Sequence, residues 1–107
     1  EYEENLVHLI KDLRKELNSP ELPVVVGELG NGGPKAGANM LAIRAAQKAA
    51  AERKELKGTV KFVSTTAFAR PKEESPNVGH GHHWFGNAES YFLIGDALGK
   101  GMVDLLK

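Results

Sequence analysis

Cysteine is absent from the 107-residue chain, which removes disulfides, thiolate metal sites and a cysteine nucleophile together and leaves the redox compartment open. Excess charge of either sign is absent too. Fourteen Lys plus Arg balance fourteen Asp plus Glu, so no basic face marks nucleic acid or anionic lipid as a partner. No apolar run approaches the roughly 20 residues of a membrane helix. The opening Glu1-Tyr2-Glu3-Glu4 is acidic where a secretion signal is basic, and the compartment stays undetermined. What remains, 41% apolar and 26% charged residues, is the composition of an ordinary globular domain.

Periodicity supplies the elements. Leu6, Leu9, Ile10, Leu13 and Leu17 recur at three- and four-residue steps between Glu3 and Asn18, predicting an amphipathic helix stopped by Ser19-Pro20. Leu22-Pro23-Val24-Val25-Val26-Gly27 is a continuous apolar run, the pattern of a parallel strand covered on both faces. A glycine-rich loop follows over Glu28–Gly37. Asn39–Leu56 is an alanine-dense helix carrying Met40, Leu41, Ile43, Ala46 and Ala50 as its packing stripe, with Gly58 as the stop. Thr59–Ser64 reads as a second strand and Thr65 to Gly86 as a long polar loop. Asn87 caps a last helix with Tyr91, Ile94, Leu98, Met102 and Leu105 on one apolar stripe, and Gly95, Gly99 and Gly101 point to close packing there.

This order, helix–strand–helix–strand–helix, implies an α/β fold with parallel strands and helices on the faces of the sheet. Two strands leave both sheet edges open. The expectation is therefore that the chain is the carboxyl-terminal half of a three-layer α/β/α sandwich with a parallel, flavodoxin-like sheet. Residues 1–107 would be one portion of that domain and the remaining strands would lie upstream.

In open α/β sheets, ligands bind beyond the carboxyl ends of the strands. Those ends carry Gly27-Glu28-Leu29-Gly30 and, further on, Gly79-His80-Gly81-His82-His83-Trp84. Three of the four histidines fall in the second segment, whereas His8 reads as a surface residue of the first helix. His80 and His82 at an i, i+2 spacing suit one metal ion, but no carboxylate stands in the loop core and the rest of a coordination sphere is lacking. A neutral imidazole also suits proton abstraction from a hydroxyl near neutral pH, and glycine-flanked histidines also fill turns. Gly27, Gly30, Gly32 and Gly33 fit neither the dinucleotide nor the phosphate-loop spacing.

The run His83-Trp84-Phe85-Gly86-Asn87-Ala88-Glu89-Ser90-Tyr91-Phe92-Leu93-Ile94-Gly95-Asp96-Ala97-Leu98-Gly99 resembles the end of the sialate O-acetylesterase-like (SASA) domain of the SGNH hydrolases. The likeness extends back through Leu22–Gly30 to the helix at Leu6–Leu17. It implies serine-dependent removal of acetyl groups from carbohydrates, an acetylated carbohydrate as partner along with the missing amino-terminal half, no cofactor, and a parent of a kind that is often secreted or periplasmic. His83 matches the family's catalytic histidine. The family's Gly-Gln-Ser-Asn-like nucleophile motif has no counterpart: Ser19, Ser64, Ser75 and Ser90 stand in other contexts, so the fragment alone is expected to be inactive. His80 occupies the position, three before the histidine, where these enzymes commonly place an aspartate. Either a serine and histidine pair suffices, with His83 oriented by a backbone carbonyl or by His80, or a carboxylate from another strand end substitutes. Glu28, leaving the preceding strand on the same rim, is the candidate for that acid, with a loop or substrate contact as its other reading. Trp84 either stacks on a sugar or packs under the loop. Asn31 and Lys35 are further substrate-contact candidates. The competing readings are a noncatalytic carbohydrate-binding or scaffold remnant and a histidine-cluster metal module.

Overall fold

The computed structural model describes all 107 residues. Helix α1 spans Tyr2–Glu16, with Glu3 and Glu4 in its first turn and Arg14 and Lys15 in its last, each charge matching the helix dipole at its end. Strand β1 is Val24–Gly27, α2 is Ala38–Ala51, β2 is Val60–Val63 and α3 is Ala88–Leu106. The strands pair in parallel, Val24 beside Val60 through Gly27 beside Val63. The protein is thus mixed α/β, with α2 making the crossover between neighbouring parallel strands.

Alternation along the strands sorts the layers. Val26 and Val60 turn toward α1 and α2, where they join Val7, Ile10, Ala50, Ala51 and Leu56 in the buried core. Val25, Gly27 and Val63 turn the other way, toward α3. A Cβ on Gly27 would lie 3.1 Å from the Leu98 side chain, and one on Gly101 would lie 2.8 Å from Val63 and 3.7 Å from Val25. Helices therefore cover both faces of the sheet, as the apolar run of β1 requires.

Several expectations are corrected by packing. The buried face of α1 is Val7, Ile10 and Arg14, whereas Leu9, Leu13 and Leu17 are exposed. The helical period is right but its inward direction is rotated. Helix α2 ends at Ala51, short of the expected Leu56, and Lys54–Leu56 form a separate 3-10 turn. That turn drives Leu56 into the core at 1% exposure, a burial that a continued helix would not provide. Of the α3 glycines only Gly101 meets the sheet, while Gly95 and Gly99 face open space. The capping role of Asn87 is as expected, its side chain accepting from the Ser90 N–H at 3.0 Å.

At the amino ends of the strands, buried Arg14 donates to the Leu22 carbonyl (2.9 Å) and to the Thr59 hydroxyl (2.8 Å), tying α1 to both strand entrances. Arg53 pairs with Glu3 at 2.6 Å and with Glu4, so the start of α1 is fastened to the end of α2. The unusual residues lie at the opposite, carboxyl rim.

Candidate active site

Two loops flank the carboxyl rim, and the first is the glycine-rich segment leaving β1. The Glu28 N–H donates to the Val63 carbonyl (2.9 Å) and continues the strand pairing. The Glu28 carboxylate then reaches across the exit of β2. One oxygen, Oε1, accepts from the Ser64 hydroxyl (2.8 Å), from the Thr65 and Thr66 N–H groups (2.9 Å each) and from the Thr66 hydroxyl. Burial pushes the Glu28 carboxyl up, but the hydrogen bonds from Thr66, Ser64 and the backbone outweigh it and hold the group below the usual carboxylate range. Thr65, fully buried, returns a hydrogen bond from its hydroxyl to the Glu28 carbonyl at 2.8 Å.

The same crossing explains Gly30. A Cβ there would stand 2.2 Å from the Thr65 hydroxyl and 2.8 Å from the Thr65 and Thr66 backbone, so only glycine permits the approach. From the helix side, buried Arg44 donates to three loop carbonyls, Leu29 (2.7 Å), Asn31 (2.9 Å) and Gly33 (2.9 Å). Gln47 accepts from the Leu29 N–H (2.9 Å) and donates to the Gly27 carbonyl (3.3 Å). Neither residue was singled out from sequence. The available signal was a polar pair three apart on the inward side of an alanine-rich helix, in register with Ala51 four residues beyond Gln47.

The second wall is the histidine loop. Its Gly81–Gly86 turn is kinked: Trp84 (φ 54°), Phe85 (φ 53°) and Gly86 (φ 66°) are consecutive left-handed residues, a conformation that bulky side chains rarely adopt. The His80 carbonyl accepts from both the His83 and Phe85 N–H groups (3.0 Å each), and the Asn77 N–H donates to the Phe85 carbonyl (2.9 Å). Two bonds anchor this turn to the start of α3: the Asn87 N–H donates to the Trp84 carbonyl (3.0 Å), and the Tyr91 hydroxyl donates to the His83 carbonyl (2.7 Å). Tyr91, expected on the apolar stripe of α3, is half-exposed and turned to the loop instead.

His80, His82 and His83 are all exposed. Their ring centres lie 5.9 Å (His80–His82), 4.2 Å (His82–His83) and 6.4 Å (His80–His83) apart. No set of three His, Cys, Asp or Glu side chains is arranged to hold an ion. Between the two walls lies a cleft of about 160 Å³ bounded by Gly32 of the glycine loop, by Ala69–Lys72 after β2, and by Gly81, Trp84 and Phe85. Arg70 at its edge is already engaged with Glu89 (3.0 Å) and the Ala67 carbonyl (3.1 Å). A larger hollow of about 420 Å³ sits at the end of α1 among Lys11, Arg14 and Glu55. It is on the amino side, away from both loops.

The rim thus brings Glu28, Trp84 and the three histidines to one end of the sheet. It does not join Glu28 to an imidazole, since the partners of the carboxylate are Ser64–Thr66. Asn31 is buried and its backbone carbonyl accepts from Arg44, whereas Lys35 is exposed. Three of the four serines spend their hydroxyl protons inside the protein: Ser64 on Glu28, Ser75 on the Pro71 carbonyl (2.8 Å) and buried Ser90 on the Phe68 carbonyl (2.6 Å).

A family model described as carbohydrate esterase, sialic acid-specific acetylesterase (SASA), matches residues 1–103 of the chain. The chain matches no curated protein and no solved structure.

Proposed function

The chain belongs to the SASA family of carbohydrate esterases, and from that premise we propose that the protein removes acetyl groups from sugar hydroxyls by a serine-dependent route with His83 as general base. The observation that supports this reading is that His83 is exposed on a turn pinned to α3 and directly precedes Trp84, which with Phe85 lines the cleft.

In this reading the neutral imidazole takes the serine proton as the hydroxyl attacks the acetyl carbonyl. It returns that proton to the departing sugar oxygen, leaving an acetyl-enzyme that water hydrolyses to acetate with His83 again as base. The serine and the donors to the oxyanion come from the portion of the domain that would pair with β1. Two features support a larger domain of which residues 1–107 are the carboxyl-terminal portion. Strand β1 has a neighbour on one edge only, and Leu9 and Leu13 of α1 stand uncovered. Trp84 and Phe85 supply an apolar wall for the sugar ring. Glu28 acts as a strut between the two strand exits, because its Oε1 is committed to four donors. His80 lies too far from His83 to orient it by a direct ring-to-ring hydrogen bond.

Acetate release from acetylated xylan and an aryl acetate by the full-length protein is the test. Replacing His83 by Ala is expected to lower turnover by roughly a thousandfold or more, the range for a member of a triad. Absence of acetate release from the parent, or full rate in His83→Ala, would leave noncatalytic sugar binding as the better description.

A further inference from the structure

We infer that Tyr91 is a positioning residue for His83, holding the base in place through its phenolic hydroxyl. The inference rests on the reading of His83 as general base. Tyr91 belongs to the first turns of α3, and its hydroxyl donates to the carbonyl of His83 itself at 2.7 Å.

The rest of the turn shows why such a tether matters. Trp84 and Phe85, the two residues after His83, hold left-handed backbone angles, and such angles persist only where surrounding contacts over-determine them. The bonds from His83 and Phe85 to the His80 carbonyl, and from Asn77 to the Phe85 carbonyl, run within the loop and would travel with it if it moved. The Asn87 N–H reaches only the Trp84 carbonyl. The tie between α3 and His83 is therefore the Tyr91 hydroxyl. Released from it, the turn can relax toward ordinary backbone angles, and relaxation swings His83 away from the attacking hydroxyl.

Tyr91→Phe removes the hydroxyl and keeps the ring, so packing is preserved. In the full-length protein the expected result is a fall in kcat of about fivefold to tenfold, the size of one hydrogen bond expressed at a barrier, with KM unchanged. Amide hydrogen exchange over residues 83–86 should quicken while the melting temperature stays within about a degree or two. A variant with unchanged kcat and unchanged exchange in this turn overturns the inference, and if His83→Ala is inactive in the same assay the functional reading survives that failure. Full rate in His83→Ala overturns the functional reading and this inference together.

Discussion

The two loops that flank the cleft are held by opposite means. The glycine loop is bolted by side chains from outside it: Arg44 and Gln47 from α2, and Thr65 from the exit of β2. Its own Glu28 reaches out in return. The histidine loop is held mostly by its own main chain, presents its imidazoles to solvent and keeps left-handed backbone at two aromatic residues. One wall invests buried polar groups in rigidity, and the other keeps its imidazoles accessible at some conformational cost. Binding and proton-transfer groups belong on the second kind of wall, provided that the first kind fixes where it stands.

That contrast is broken most severely at Arg44. Arg44→Ala strands three carbonyls that the guanidinium now satisfies, and hydrogen bonds to charged groups contribute enough each that a loss of about 3 kcal/mol or more is expected. Denaturant unfolding measures it. A loss under about 1 kcal/mol would mean that the loop is not bolted from α2.

Glu28→Gln should cost less, about 1–2 kcal/mol at neutral pH, because an amide oxygen still accepts some of the four donors. Its signature is the pH dependence. The Glu28 carboxyl is held below its ordinary value of 4.5, so the unfolded chain binds its proton more readily than the folded one. The stabilisation is complete above about pH 4.5 and is lost as pH falls through the folded value. Stability measured from pH 7 to pH 3 should therefore decline more steeply in the parent than in Glu28→Gln. Parallel curves would show that the carboxylate is not the strut described here.

At the other wall, His80→Ala is expected to change stability by no more than about 0.5 kcal/mol, as for an exposed side chain without hydrogen-bond partners of its own. A loss above 1 kcal/mol would erase the contrast by making the imidazole cluster structural.

How much of this was legible in the sequence follows the same division. Local signals carried far. The Val24–Val26 run placed β1, and the two strand signals gave a parallel pair with helices on both faces. The cap at Asn87 and the exposed position of His8 also hold. Features decided by non-local packing were hidden. The inward direction of α1 depends on Arg14 reaching Leu22 and Thr59, which no spacing within the helix announces. The early end of α2 is set by the burial of Leu56.

At the site, glycines read as freedom, yet Gly30 is glycine because Thr65 leaves no room for a Cβ. Glu28 does leave β1 at the rim, but its attachment to Ser64–Thr66 depends on how the two strand exits meet. Tyr91 fitted a helical stripe by periodicity alone, and its bond to His83 depends on a backbone turn that aromatic residues disfavour.

Turnover of an aryl acetate by the protein joined to the proposed upstream portion of its domain, measured beside the melting temperature for His83→Ala and Glu28→Gln, puts the division between a chemical wall and a supporting wall to the most direct trial. His83→Ala should lose roughly a thousandfold in rate with its melting temperature nearly unchanged, whereas Glu28→Gln should melt earlier but keep most of its rate where it remains folded. A folded Glu28→Gln protein as inactive as His83→Ala would place the Glu28 carboxylate in the chemistry, and a fully active His83→Ala protein would remove the imidazole from it.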